Sequence, residues 1–339
     1  MTGPAPAIAH VRSAVRACIA DLEPGSVVLA GVSGGRDSLA LADALAFEAP
    51  KLTLHAGALI VDHQLQAESA RVAVQVQRVV DAMGLAPVQV LTVDVDATSN
   101  VEANARDARY AALTSAAERL DADAVLLGHT LDDQAESVLL GLARGSGAKS
   151  LAGMPERRDI FRRPLLSIGR ETTSAACDAA GLVPWDDPHN VNPAFSRVRV
   201  RHELMPLMEK ELGPGVAAAL ARSAQQLRDD DDALDAWAKQ VWTRGPPEEG
   251  LDCEELASLP VAVVRRVIRY AALAAGVTPG SLRYSQLKDL EALVTQWHGQ
   301  GAVALPGGVA ARRSYGRLTF GRGDPAASAT ETSATQPRE

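Results

Sequence analysis

Ser33-Gly34-Gly35-Arg36-Asp37-Ser38 packs two hydroxyls, two adjacent glycines and a carboxylate into six residues, directly after the apolar run 27–32. Glycine lets the backbone approach a ligand with no Cβ in the way. The apolar run has strand length, and the stretch from Ser38 to about Phe47 reads as a helix. The first N–H groups of such a helix lack intrahelical partners, and its positive dipole end points back at the turn. Strand, glycine turn and helix N-terminus together make an anion site, and phosphate is the usual anion. The string is not a Walker A loop, because the Gly-Lys-Ser/Thr ending is missing and Asp37 stands where that loop has lysine. A carboxylate beside phosphates calls for a cation between them, which implies Mg²⁺ held by Asp37.

A second group of reactive types is His129-Thr130-Leu131-Asp132-Asp133-Gln134-Ala135-Glu136. Asp132 and Glu136 are i, i+4, and Asp133 and Glu136 are i, i+3, so the acids crowd the start of a helix. Dipole complementation accounts for one or two acids there. Three acids beside a histidine suit either Mg²⁺ or a cationic substrate such as a lysine ammonium. Glu102, Arg106 and Arg109 also share a helix face. They read either as a solvated ion-pair stripe or as arginines facing a nucleotide, where they would stabilise a transferred phosphoryl group. Arginines recur at 157, 158, 162 and 163 and again at 197, 199 and 201. Spacing by two suits an extended segment or a helix start gripping phosphates. Two such runs flanking the site point to RNA backbone contacts by Arg163, Arg197, Arg199 and Arg201.

Positioning these groups falls to alternating elements. Strands are expected at 27–32, 52–61, 88–93 and 124–127, and helices at 67–83, 101–120 and 131–143. That alternation means an α/β fold with a doubly wound, mostly parallel sheet. Ligands of such sheets bind beyond the carboxyl ends of the strands, where Ser33, Asp62, His63 and His129 all fall. Further on, a strand is expected at 160–166, a helix at 171–180, a Pro/Asp/Asn-rich loop at 183–196 and a helix at 197–212 interrupted at Pro206. Gly213-Pro214-Gly215 marks a boundary. Residues 1–212 form the expected catalytic domain. Residues 213–321 form a second, smaller, mainly helical domain ending in a small hairpin. Residues 322–339, made largely of Ala, Ser, Thr and Pro, read as a disordered tail.

The chain has 339 residues, 47% hydrophobic and 22% charged, which suits a soluble globular protein of two domains. No apolar run approaches the roughly 20 residues of a membrane span, and the N-terminus lacks a signal-peptide pattern. The three cysteines form no Cys-x-x-Cys pair, which argues for the cytoplasm and against a zinc or iron–sulfur site. The net charge of −8 does not advertise a nucleic-acid binder, although the arginines segregate.

The Ser-Gly-Gly-x-Asp-Ser string resembles the PP-loop of the N-type ATP pyrophosphatases, which cut ATP between the α- and β-phosphates and adenylate a substrate. Four further features occur in an order similar to that of the tRNA(Ile)-lysidine synthase family: Val61-Asp62-His63, Asp132-Asp133-Gln134-Ala135-Glu136, Arg144-Gly145-Ser146-Gly147 and Arg163-Pro164-Leu165-Leu166. Asp187-Pro188-His189-Asn190 and, more weakly, Leu305-Pro306-Gly307-Gly308 extend the likeness. Three departures stand out: Ser137 replaces a usual Thr, Thr130 a common second His, and Gln64-Leu65-Gln66 the usual Gly-Leu-Arg. The resemblance implies ATP and Mg²⁺ as cofactors, with free lysine and a tRNA(Ile) bearing a CAU anticodon as partners, and leaves room for a homodimer. The residues it implies for ATP are Ser33, Gly34, Gly35, Arg36, Asp37, Ser38, Asp62, His63 and His129. Those for lysine are Asp132, Asp133 and Glu136. Asp37, Arg106, Arg109, Asp133 and Glu136 would be catalytic. The alternatives are another PP-loop enzyme acting on tRNA, such as a thiolase, and a non-catalytic nucleotide-binding module.

Overall fold

The structure, a computed structural model, describes residues 3–64, 68–94, 101–145, 147–185, 191–243 and 249–322, without the side chains of Val101 and Glu102. The readings made for Glu102, for 187–190 and for the tail beyond Arg322 therefore lie outside the described residues. The chain divides into two compact units, Met1–Arg228 and Asp229–Glu339.

In the first unit, β1 (Val27–Val32) is the centre of a six-stranded sheet with β2 (His55–Asp62), β3 (Val88–Thr92), β4 (Ala124–Leu127), β5 (Arg157–Arg158) and β6 (Phe161–Arg162). The strand order is β3-β2-β1-β4-β6-β5. All neighbours pair parallel except β5, which runs antiparallel to β6. β1 is buried on both faces, which is why it reads as a nearly continuous apolar run. Val28, Ala30 and Val32 face a core shared with α1 (Pro6–Ile19), α2 (Arg36–Glu48), α3 (Ser69–Ala82) and α7 (Arg170–Ala179). Leu29 faces the opposite core, built on α4 (Val101–Arg119) through Leu113, Ala116 and Ala117. Connections from β1 run one way to β2 and β3 and then cross back to β4, so the switch point lies between β1 and β4. The remaining helices of this unit are α5 (Leu131–Ala143), α6 (Ala148–Leu151), α8 (Ser196–Arg199) and α9 (Met205–Leu212), and α10 (Val216–Trp242) begins in it.

Three sequence expectations are corrected. β2 starts at His55 because Ala49–Leu52 forms a 3₁₀ turn that ends in Thr53 at φ 58°. The strand expected over 160–166 stops at Arg162, since Pro164 has no N–H to donate to a ladder. The helix expected over 197–212 is present but is broken earlier than Pro206, by a π-helical turn at Val200–Leu204 between α8 and α9, and of the two readings of the arginine run the helical one holds. Pro206 explains that turn. A proline ring collides with the carbonyl four residues back and removes one hydrogen bond, and a widened turn absorbs both.

The second unit contains α11 (Cys253–Ala257), α12 (Val261–Ala274), α13 (Tyr284–Thr295) and the strands β7 (Leu251–Asp252), β8 (Val303–Leu305), β9 (Val309–Ser314) and β10 (Arg317–Arg322). The expected hairpin β9–β10 is the middle of a four-stranded antiparallel sheet ordered β7-β10-β9-β8. Val263, Val267, Ile268, Leu287, Leu290 and Leu318 form its core.

Gly57 shows how tightly the first sheet is packed. A Cβ there would lie 2.6 Å from the Pro87 carbonyl oxygen and 2.8 Å from Leu29 Cδ2. Gly57→Ala should lower stability by about 1–3 kcal/mol in urea unfolding. Gly147→Ala, where a Cβ meets nothing within 4 Å, should change it little.

Candidate active site

β1 delivers its carboxyl end to the turn Ser33–Gly35, and α2 begins at Arg36. Gly34 sits at φ +85°, and a Cβ on it would be 2.5 Å from Val76 Cγ2, so this turn admits only glycine. Ser38 closes the loop: its Oγ accepts from the Ser33 N–H at 3.2 Å and donates to the Gly35 carbonyl at 2.9 Å. Gly128, at the end of β4, is equally constrained, because a Cβ would lie 3.2 Å from the Asp37 backbone. The two strand ends of the switch point therefore press against the start of α2. The Arg36 guanidinium reaches Asp178 of α7 at 2.5 Å.

A cleft of about 540 Å³ opens over this cradle. It brings together Ser33, Gly35, Arg36, Asp37, Ser38, Asp62, His63, Arg106, Arg109, His129, Asp133, Arg170, Arg197 and Arg201. Asp62 is buried, and its Oδ1 accepts from the Gln64 N–H at 2.9 Å, which turns the chain after β2. Arg106 and Arg109 both lie over the Tyr110 ring, at 5.1 and 5.6 Å from its centroid. Arg109 Nε and His129 Nδ1 are buried and have no hydrogen-bond partner among the described residues. An anionic, hydrogen-bonding ligand in the cleft would satisfy the arginine.

The acid cluster on α5 is built by its cap. Thr130 is fully buried and is the N-cap. Asp133 Oδ2 accepts from the Thr130 N–H at 2.8 Å and from its hydroxyl at 3.0 Å. Asp133 Oδ1 accepts from Arg170 and Arg201, each at 3.0 Å. Glu136 is 1% exposed, and three arginines surround it. Oε1 accepts from Arg201 Nε at 2.7 Å and Arg170 Nη2 at 3.2 Å, and Oε2 from Arg197 Nε at 2.8 Å and Arg201 Nη2 at 3.1 Å. Asp132 Oδ2 accepts from the Arg170 backbone N–H at 2.7 Å. A buried carboxylate left unpaired is very costly, and these arginines supply the partners that Glu136 has in the interior.

Protonation follows from these surroundings. Burial pushes the Asp37 carboxyl up, against the Thr173 hydroxyl and Arg170, which favour its charge. Burial also pushes Asp133 up, but Arg170, Arg197, the Thr130 N–H and Arg201 outweigh it and hold the group below its ordinary value. Burial, with Arg109 adding, takes His129 down to about 3. Burial likewise lowers Arg109.

Several expected site residues stand differently from the reading of spacing. Arg197 and Arg201, one helical turn apart, point together at α5. Arg199 faces away and donates to the carbonyls of Pro193 and Ala194. Arg163 is 4% exposed and donates to the Pro155 carbonyl and the Tyr110 hydroxyl, so it braces the interior and cannot grip an RNA backbone from there. Arg170 and Thr173, both at the start of α7, were missed. Their signal was a Gly169 N-cap ahead of Arg-Glu-Thr-Thr, which carries no pattern specific to chemistry. No group of three or more His, Cys, Asp or Glu among the described residues forms a metal cage. Asp37, beside the glycine turn, is the carboxylate that would hold Mg²⁺ there together with substrate phosphates.

A glycine turn at the switch point of a parallel sheet, with a carboxylate in place of the Walker lysine, defines an ATP-using protein of the PP-loop class. Residues 8–208 match the family model described as PP-loop domain. Residues 251–319 match a second, described as TilS substrate binding domain. The chain is 51% identical over 321 residues to a tRNA(Ile)-lysidine synthase of Thermobifida fusca, covering 94% of this chain and 98% of that protein. It is 48% identical over 352 residues to the synthase of Streptomyces coelicolor, covering 95% and 100%. This chain belongs to the tRNA(Ile)-lysidine synthase family. Its fold is also that of the U34-tRNA thiolase NcsA from Methanococcus maripaludis, with a TM-score of 0.56 and 19% identity over 65% of this chain and 79% of that one. Among the described residues no helix is long and apolar enough to cross a membrane.

His129 gives a direct check. Its imidazole should stay neutral down to about pH 4, visible as a histidine NMR resonance that does not titrate between about pH 5 and 9. The folded pKa lies below the unfolded value of about 6.5, so protons favour the unfolded chain. This residue therefore draws stability down as pH falls from about 6.5 towards 3. Gly34→Ala should cost at least about tenfold in ATP affinity by calorimetry, because the turn that presents the N–H groups cannot form.

Proposed function

We propose that this protein ligates lysine to C2 of the wobble cytidine in the CAU anticodon of tRNA(Ile), in the cytoplasm, through an adenylated tRNA. The observation that carries the reading is the cleft shared by the glycine turn, Asp37, Arg106, Arg109, His129 and Asp133, with Glu136 tied to it through the cleft-lining Arg170, Arg197 and Arg201. In the first step the C2 carbonyl oxygen of cytidine attacks the α-phosphate of ATP, the Pα–O bond to the β-phosphate breaks and pyrophosphate leaves. In the second the ε-amine of lysine attacks C2, the C2–O bond breaks and AMP leaves.

The first-turn N–H groups of α2 and the Ser33 hydroxyl hold the leaving pyrophosphate. Mg²⁺, held by Asp37, would neutralise charge on the phosphates when bound. Arg106 and Arg109 steady the adenylate, with the buried Arg109 Nε–H supplying an unused donor. His129, neutral at physiological pH, adds an uncharged hydrogen-bonding edge beside them. Asp132, Asp133 and Glu136 receive the lysine ammonium, and one of them takes a proton from it before attack. Both oxygens of Glu136 and Oδ1 of Asp133 are engaged by arginine, so the ammonium enters by exchange with a guanidinium, and Arg197 and Arg201 are then free to meet RNA phosphate. The wobble base has to leave its stack to reach C2, as single-stranded RNA recognition normally requires.

Pyrophosphate release should require tRNA and not lysine, and radiolabelled lysine should become covalently attached to the RNA. Asp37→Ala should abolish both while circular dichroism stays unchanged. Full turnover by that variant, or ATP binding with no pyrophosphate release by the wild type, would defeat the reading.

A further inference from the structure

Asp37 is the carboxylate on which the cation reading depends, and nothing on its own helix orients it. Its orientation comes from α7. The Thr173 hydroxyl donates to Asp37 Oδ1. Thr173 is 0% exposed, so water does not compete for that hydroxyl. Asp37 Oδ2 is turned the other way and lies 3.8 Å from Arg170 Nε, beyond hydrogen-bond distance. Asp37 lines the cleft, and one of its carboxylate oxygens is thus fixed by a buried donor while the other accepts no hydrogen bond and has only the Arg170 guanidinium nearby. We propose that Thr173 is a positioning residue that holds Asp37 as a one-oxygen ligand for the divalent cation that accompanies ATP. The proposal rests on the reading of Asp37 as that ligand.

The physical case is one of preorganisation. A carboxylate free to rotate spends part of its time presenting the wrong oxygen, or both, and Mg²⁺ demands a strict octahedral geometry. A hydrogen bond to an ionised acceptor is among the stronger ones. The Thr173 Oγ1 also lies 2.9 Å from the Arg170 carbonyl, so its single proton has a second acceptor and the hydroxyl stays satisfied should Asp37 swing away. The Arg36–Asp178 ion pair ties the same two helices together one residue earlier on α2, but both of its members are exposed, so it carries little.

The test separates metal binding from nucleotide binding. The affinity of the full-length enzyme for ATP is measured by calorimetry in excess MgCl₂ and in EDTA, and the ratio is the gain due to metal. Thr173→Val removes the hydroxyl and keeps the shape, and should shrink that gain about tenfold, the value of one charge-assisted hydrogen bond. Affinity in EDTA should stay within about twofold of wild type, and Thr173→Ser should restore the gain. An unchanged gain in Thr173→Val, or an equal loss with and without metal, would overturn the proposal. If the valine variant fails to fold, Thr173→Ala against Thr173→Ser reads the same difference. Asp37→Asn is the control. If it keeps the full gain, the assignment of Asp37 fails; if it loses the gain while Thr173→Val keeps it, the Thr173 inference alone fails.

Discussion

Everything around the cleft is organised by the need to neutralise Glu136. A carboxylate 1% exposed to solvent has lost its water, and only cations and donors at hydrogen-bond distance make that tolerable. Arg170 comes from the start of α7, Arg197 from α8 and Arg201 from the π-helical turn. Two segments, the start of α7 and the continuous helical stretch from Ser196 to Leu204, are thereby fixed against α5. The same arginines reach Asp133, and Arg170 also approaches Asp37, so the acid cluster and the phosphate cradle share one electrostatic network.

Within that network the charges nearly balance: Arg170, Arg197 and Arg201 stand against Asp37, Asp133 and Glu136. The widened turn at Val200–Leu204 carries Arg201 into it, in keeping with the recurrence of π-helical turns at functional sites.

Much of this was legible in the sequence. The apolar run 27–32, the glycine pair and the acids at 132–136 gave the sheet centre, the anion turn and the start of α5, because each depends on local rules: period, conformational freedom and capping. The relation between acids and arginines was not legible. Arg197 and Arg201 read as RNA contacts because two arginine runs flank the site; that they share one helix face turned to the buried acids of α5 depends on tertiary packing, which spacing does not encode. Arg163 was misjudged because burial of an arginine depends on partners, here Pro155 and Tyr110, brought near only by tertiary folding. Arg170 and Thr173 were invisible for a similar reason. Their roles arise from where α7 docks against α2, and no periodicity encodes that.

The two-residue strand β5 has a consequence for the protein among its own copies. A parallel sheet with a bare margin invites another chain to zip onto it. Here the last rung is short, reversed in direction and flanked by the exposed side chains of Arg157 and Arg158, with Arg157 anchored to Asp21 at 2.7 Å. Like charges would confront each other if two such margins met, and too few backbone groups are on offer to offset that repulsion. In a crowded solution this side of the molecule resists polymerisation by strand addition.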